Sequence, residues 1–303
     1  NEGPDGFGTQ RIITTQADGG PVDIEVADLD TDGDLDVLSA SFSDAKVAWY
    51  RNDGSGGFGS EQIISTGTFS AGSVHTADLD GDGDQDVVYG SYQLPGKVVW
   101  FANNGEAGFS PEQLVSIQGI AINDVFTADL DNDGDQDVLT AATAINGLSW
   151  YANDGFGGFG TEQVISAQGQ ANSVHAADVD NDGDQDLIAA CVFDDRVVWY
   201  ANDGIGGFGT EQVISTLTDS PGPVHAADMD GDGDVDVIFS SFGYELAWYA
   251  NSGDGSFGPP LIISAASGFG VAVRTADLDD DGDQDVLSGS SSGAVGFYSN
   301  NGS

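Results

Sequence analysis

The chain has 303 residues and a formal net charge of −45, from 51 acidic and 6 basic residues. A surface this acidic repels nucleic acid and anionic membrane, which excludes both as partners. No apolar stretch approaches the roughly 20 residues of a membrane span, so membrane insertion is excluded as well. A single cysteine, Cys191, excludes an intrachain disulfide, and its place in the apolar run from Leu187 to Phe193 reads as an inert core thiol.

The chain opens on Asn1 with polar residues and no signal peptide, as a mature or trimmed form would. Its first patterned segment, Gly6 to Ile13, matches Gly57 to Ile64. Then comes a nine-residue string, D-x-D-x-D-G-D-x-D, at Asp28 to Asp36. It returns at Asp78, Asp129, Asp178, Asp228 and Asp277, at intervals of 50, 51, 49, 50 and 49 residues. A fixed period of this length marks a repeat architecture that stacks into one body, so one domain over 1–303 is expected.

The second repeat displays the unit. Ser73 to Ala77 is a short β-type run leading into the acidic string. Asp86 to Tyr92 follows the string, Lys97 to Ala102 alternates Val with aromatics, and Glu112 to Ser116 closes the unit. Turn residues stand at every junction: Asp-Gly in the string, Leu94-Pro95-Gly96, Asn103-Asn104-Gly105 and Gly108. Short β-rich runs punctuated by Gly and Asn predict a four-stranded antiparallel meander, and no segment sustains a helical period. Four strands per fifty residues, six times, predict an all-β fold, a six-bladed β-propeller. A calcium β-roll is disfavoured because its repeats run to about nine residues. The chain ends after a third strand, Val295 to Asn300, and starts with a lone fourth strand, so the N-terminal strand is expected to complete the last blade and leave no open edge.

Acids at alternate positions of a tight loop suit Ca²⁺, a hard cation that takes six to eight oxygens. In the first string Asp28, Asp30 and Asp32 are the expected first ligands. Gly33 permits the turn, Asp34 offers its backbone carbonyl and Asp36 closes the shell. The same roles fall to Asp78, Asp80, Asp82, Asp84 and Asp86; to Asp129, Asp131, Asp133, Asp135 and Asp137; and to Asp178, Asp180, Asp182, Asp184 and Asp186. They recur at Asp228, Asp230, Asp232, Asp234 and Asp236, and at Asp277, Asp279, Asp281, Asp283 and Asp285, where an extra acid, Asp280, is expected to face solvent. These positions take 30 of the 51 acids. Six bound Ca²⁺, one structural ion per blade, would leave a formal charge of about −33. Without metal the carboxylates of each loop repel one another. Calcium sites of this kind fill at extracellular levels, and the residual acidity favours solubility at high salt. A secreted or cell-surface protein, in a saline setting, is therefore expected.

The acidic string is followed at fixed distance by Asn-Asp-Gly-x-Gly-Gly-Phe-Gly, as at Asn52 to Gly59, Asn153 to Gly160 and Asn202 to Gly209. This combination resembles the FG-GAP and VCBS repeats of integrin α-subunit heads and many secreted bacterial propellers, and it covers essentially the whole chain. Integrin heads have seven blades where six are counted here. The resemblance implies a calcium-bearing propeller used as a recognition platform, sometimes as a module of a carbohydrate-active enzyme, without implying one ligand.

Trp49, Trp100, Trp150, Trp199 and Trp248 recur once per blade, with Gly296-Phe297 read as the counterpart pair in blade six. They are expected to fill the wedges between sheets, as are the Phe residues of the Gly-Phe-Gly segments. His75, His175 and His225 share one position, with Glu25, Phe126 and Arg274 as equivalents, and are expected to line a central channel or bond a neighbouring blade. Function is expected on the face opposite the acidic loops, where the links between second and third strands vary. Lys46, Tyr92, Lys97, Phe193, Arg196 and Tyr244 are its candidate ligand-binding residues, and Lys46, Lys97 and Arg196 recur there at one position.

These features read as a secreted, calcium-stabilised binding module, monomeric, for a glycan or an extracellular protein. No G-x-S-x-G, H-E-x-x-H or phosphate loop is present, which disfavours an enzyme. The competing readings are a polysaccharide lyase or hydrolase and a purely architectural adhesion module. Lyases and phytases handle anionic substrates, for which six basic residues are few. The 21 acids outside the string positions leave a glycoside hydrolase with paired carboxylates open.

Overall fold

A computed structural model of the chain describes every residue except 1–11, 15–19, 67–70, 107, 119–120, 143–146, 168–169, 217–218, 242–245, 265–269, 279–280, 291–294 and 301–303. Among the described residues every regular element is a strand and there is no helix. The strands form six antiparallel blades of a β-propeller, the architecture predicted from the repeat.

The blades follow the chain. The first holds β1 (Pro21–Ala27), β2 (Asp36–Ser41), β3 (Lys46–Tyr50) and β4 (Gln62–Thr66), and the second β5 (Ala71–Ala77), β6 (Asp86–Ser91), β7 (Gly96–Phe101) and β8 (Gln113–Gln118). The third holds β9 (Ile122–Ala128), β10 (Asp137–Ala142), β11 (Leu148–Tyr151) and β12 (Gln163–Ser166). The fourth holds β13 (Ala171–Ala177), β14 (Asp186–Cys191), β15 (Arg196–Tyr200) and β16 (Gln212–Ser215). The fifth holds β17 (Pro221–Ala227), β18 (Asp236–Ser241), β19 (Leu246–Tyr249) and β20 (Leu261–Ser264). The sixth shows β21 (Gly270–Ala276), β22 (Asp285–Ser290) and β23 (Val295–Tyr298). Strand order within each sheet is sequential. The strand expected to complete the sixth blade, Gly6 to Ile13, lies outside the described residues apart from Ile12 and Ile13.

The blades group into two compact units, residues 11–168 with blades one to three and residues 169–303 with blades four to six. Within each unit the first strands of successive blades lie side by side. Second strands such as β6 (DVVYGS) and β14 (DLIAAC) are buried along their whole length, which is why they read as apolar runs rather than alternations. Fourth strands have exposed apolar residues, with Ile63, Leu114, Val164 and Val213 facing out.

The tryptophans act as wedges. In the first unit Trp49 packs with Val74 and Val87 of the next blade, and Trp100 with Val125 and Val138. In the second, Trp199 packs with Val224 and Val237. Register corrects the assignment in blade six. Leu287 pairs with Phe297 as Leu38 pairs with Trp49, so Phe297-Tyr298 is the counterpart of Trp-Tyr, and Gly296 is not part of it. Phe297 replaces Trp in this blade, and pairing with β22 fixes the count that residue type alone leaves open. Cys191 is buried in β14, and burial pushes its thiol up to about 12, as expected of an inert core cysteine.

Candidate metal centres and the opposite loops

Each acidic string is the turn between the first and second strands of its blade. Its shape is set by two left-handed residues. The sixth position is always Gly, with φ from 92° at Gly33 to 98° at Gly183 and Gly282. The fourth is left-handed too: Thr31 (56°), Gly81 (76°), Asn132 (56°), Asn181 (58°) and Gly231 (75°). Gly and Asn adopt this conformation readily and a β-branched Thr does not. Thr31 is held there by its Oγ1, which donates to Gly105 O of the next blade at 3.0 Å.

Inside that turn each aspartate has a separate task. Asp28 accepts from the amides of Asp32 (Oδ1, 3.1 Å) and Gly33 (Oδ2, 2.9 Å), and Asp32 accepts from Asp34 N at 3.0 Å. Asp129, Asp178 and Asp277 repeat the first pattern, while Asp78 and Asp228 accept from the glycines at the fourth and sixth positions. The ninth-position acid is fully buried in Asp36, Asp86, Asp137, Asp186, Asp236 and Asp285. Asp86 accepts from Leu79 N (2.9 Å) and Asn103 N (2.7 Å), tying the loop to the β7–β8 turn of its own blade. Burial outweighs these two amides and pushes the carboxyls of Asp86 and Asp137 up to about 7, and those of Asp186 and Asp236 up to about 6.

The seventh-position side chains turn away. Asp34, Asp84, Asp135, Asp184 and Asp234 lie against the glycine of the following Asn-Asp-Gly or related turn; a Cβ on Gly54 would stand 2.4 Å from Asp34 Oδ2, and one on Gly105 2.7 Å from Asp84. The seventh-position carboxylates therefore point to the turn glycines and away from the acids that converge.

The acids that remain converge. Ligand oxygens lie within 4.8 Å of one another in Asp28, Asp30 and Asp32; Asp78, Asp80 and Asp86; Asp129, Asp131 and Asp137; Asp178, Asp180 and Asp186; and Asp228, Asp230 and Asp232. Asp279 of the sixth loop lies outside the described residues. In four of these clusters the third-position acid carries a buried oxygen with no hydrogen-bond partner: Oδ1 of Asp30, Asp80, Asp131 and Asp180. Burial raises the carboxyls of all four. Three carboxylates grouped beside a backbone turn, one of them in four of the clusters carrying a buried oxygen without a partner, could hold a hard divalent cation, and the residues fit Ca²⁺.

The first loop differs from the rest. Arg51, which follows the Trp-Tyr pair of β3, sends its guanidinium into the cluster. Nε stands 2.6 Å from Asp30 Oδ2, an ion pair without hydrogen-bond alignment, and Nη2 donates to Asp32 Oδ2 at 2.8 Å. Sequence reasoning passed over Arg51; the signal was an arginine where the other repeats have Ala102, Ala152, Ala201, Ala250 and Ser299.

A second feature missed from sequence is the turn asparagine. Asn103 Nδ2 donates to Leu29 O at 2.8 Å, Asn153 to Leu79 O at 2.9 Å, Asn251 to Val179 O at 2.6 Å and Asn300 to Met229 O at 2.6 Å. Each acceptor is the second residue of the preceding blade's acidic string. The histidines also bond across blades: His75 Nδ1 is 2.9 Å from Thr127 Oγ1, and His225 Nε2 is 3.1 Å from Thr275 Oγ1.

At the opposite ends of the blades the structure separates the candidate ligand residues into two groups. Lys46, Lys97 and Arg196 turn onto glutamates 15 residues on. Lys46 Nζ is 2.7 Å from Glu61, Lys97 Nζ 3.1 Å from Glu112, and Arg196 Nη1 2.5 Å from Glu211. Lys46 is buried, and the Glu61 contact raises its pKa. Glu61 and Glu211 also accept from Tyr50 and Tyr200 of the same blades. These bases fasten the third strand to the start of the fourth. The aromatics stay exposed: Tyr92 is 46% and Phe193 69% exposed, and Phe42 meets Tyr92 with ring centroids 5.6 Å apart, edge to face. Tyr244 lies outside the described residues.

A profile of the FG-GAP-like repeat matches the chain five times, at residues 28–89, 78–140, 129–189, 186–239 and 228–288. No curated protein sequence matches. In solved structures 518 chains match, so the likeness identifies a fold and not one activity. Two are crystal structures of BBS1N in complex with ARL6DN, one soaked with mercury and one with lead. Both have a TM-score of 0.62 and 14% identity, covering 93% of this chain and 78% and 79% of theirs.

Proposed function

We propose that this chain, which belongs to the FG-GAP-like repeat family, is a calcium-stabilised β-propeller that binds a glycan or an extracellular protein through the loops opposite its acidic turns. The observation that carries the reading is the aromatic pair Phe42 and Tyr92, exposed together at the β2–β3 and β6–β7 turns of neighbouring blades. Aromatic rings presented in water on a rigid sheet scaffold are the usual anchors of sugar rings and of protein partners. The solved chains of similar fold in the BBS1N crystals are in complex with a second protein, which supports a protein ligand as the alternative to a sugar. Pairing of Lys46, Lys97 and Arg196 with glutamates supports binding over a lyase, whose anionic substrate needs cations facing outward.

The calcium reading rests on the clustered carboxylates and on the unpartnered buried oxygens of Asp30, Asp80, Asp131 and Asp180. Secretion, a monomeric state and a single domain over residues 1–303, with residues 6–13 completing the sixth blade, belong to the same proposal. A glycan array in millimolar Ca²⁺, repeated in EDTA, tests it. Glycan binding that EDTA abolishes and that Tyr92→Ala weakens would establish a calcium-dependent lectin. A clean negative from folded protein would remove the glycan and leave the protein ligand, to be mapped by cross-linking in the presence of Ca²⁺ with Tyr92→Ala and Phe193→Ala as controls.

A further inference from the structure

We infer that Arg51 is a built-in cation for the first acidic loop, so that this blade is held without tight metal binding and the chain takes one fewer tightly bound Ca²⁺ than it has acidic strings. The inference rests on the calcium reading above.

A Ca²⁺ ion in the first loop would draw on Asp30 and Asp32. Both already face the guanidinium, at 2.6 Å from Nε and 2.8 Å from Nη2. The second, third, fourth and fifth loops have Ala102, Ala152, Ala201 and Ala250 at the matching place, where no side chain reaches the cluster. The chemistry is suited to the exchange. Arginine keeps its charge at any ordinary pH, and its planar fork addresses two carboxylates at once. Being covalently attached, it is present at every calcium concentration, so an ion must displace it and also meet a site already less negative by one charge. Asp30 Oδ1, left without a hydrogen bond, shows that one monovalent group satisfies the loop only in part. Displacement by high calcium therefore remains available, at an affinity we set at least tenfold below that of the unobstructed loop.

Calcium titration of wild type and Arg51→Ala, with ion count by native mass spectrometry and affinities by calorimetry, tests the inference. Arg51→Ala should bind one more tight Ca²⁺ than wild type. It should melt lower than wild type in EDTA and regain its melting temperature in Ca²⁺, because the metal takes over from the side chain. Arg51→Gln, which keeps bulk and removes charge, should behave as Arg51→Ala does. Equal, non-zero counts of tight ions in wild type and both variants would overturn this inference and leave the calcium reading standing. No tight ion in any of the three would overturn both. Variants that fail to fold even in Ca²⁺ would also overturn it, since the loop would then need arginine and not a cation.

Discussion

Asn153 Nδ2 donates to the carbonyl of Leu79, in the preceding blade, at 2.9 Å and to Gln136 O, in its own blade, at 3.0 Å. One buried amide thus joins a turn, its own acidic loop and the acidic loop of its neighbour. Asn153→Ala leaves two carbonyls without their donor, that of Leu79 buried and that of Gln136 half-buried. It should cost about 2–4 kcal/mol by urea denaturation in saturating Ca²⁺. A loss below about 0.5 kcal/mol would mean that the two contacts are dispensable.

Calcium removal should destabilise the fold as a whole. Each site at a hundredfold excess over its dissociation constant adds about 2.7 kcal/mol to the folded state. Several sites together should place the melting temperature in EDTA at least about 10 °C below that in millimolar Ca²⁺. The candidate ligands Asp80, Asp131 and Asp180 carry unpartnered buried carboxylate oxygens, and Mg²⁺, which dehydrates reluctantly, should restore less of the loss than Ca²⁺. Coincident melting curves with and without EDTA would refute a structural role for the metal.

Gly157 should not tolerate a side chain. Its φ is +75°, and a Cβ there would stand 2.2 Å from Trp100 Cζ2 of the preceding blade. Gly157→Ala must therefore displace a buried tryptophan wedge while adopting a left-handed conformation. A loss of about 2–4 kcal/mol is expected by chemical denaturation. Gly134, also left-handed but with open space around its Cβ position, provides the comparison. Gly134→Ala should lose only the backbone part, about 1 kcal/mol.

His225 should make the protein acid-sensitive. Burial, and then the charge of Arg274, lower its pKa to about 4 from an ordinary value of 6.5. His175 stands 4.8 Å away, ring to ring, and Thr275 Oγ1 is its hydrogen-bond partner. A base whose folded pKa is depressed adds stability that is present above pH 6.5 and is lost as the pH falls towards 4, because the unfolded chain takes the proton first. The full loss is at most about 3 kcal/mol. It appears as the difference in pH dependence between wild type and His225→Gln, measured at constant Ca²⁺. Parallel stability curves between pH 7 and 4 would show that His225 charges freely in the fold.

The repeat, the strands of its units, the acidic turns and the tryptophan wedges are all legible in short stretches of the chain. These rest on local rules: alternation or continuity of apolar residues along a strand, glycine where φ must be positive, and acids at alternate loop positions. Those rules act over fewer than ten residues and repeat six times, so even one sequence displays them clearly. What the polar side chains do follows from packing between strands and blades. Lys46, Lys97 and Arg196 looked available for ligands, but each long side chain reaches a glutamate 15 residues away, next to the start of the fourth strand. Phe297 took its place as the counterpart of tryptophan only through pairing with Leu287. Asn153 and Leu79 are 74 residues apart, and Arg51 and Asp30 are 21 apart; neither spacing carries a pattern of its own. A long side chain reaches whatever the packing brings within hydrogen-bonding distance, and packing between strands and blades is not written in any short stretch of chain.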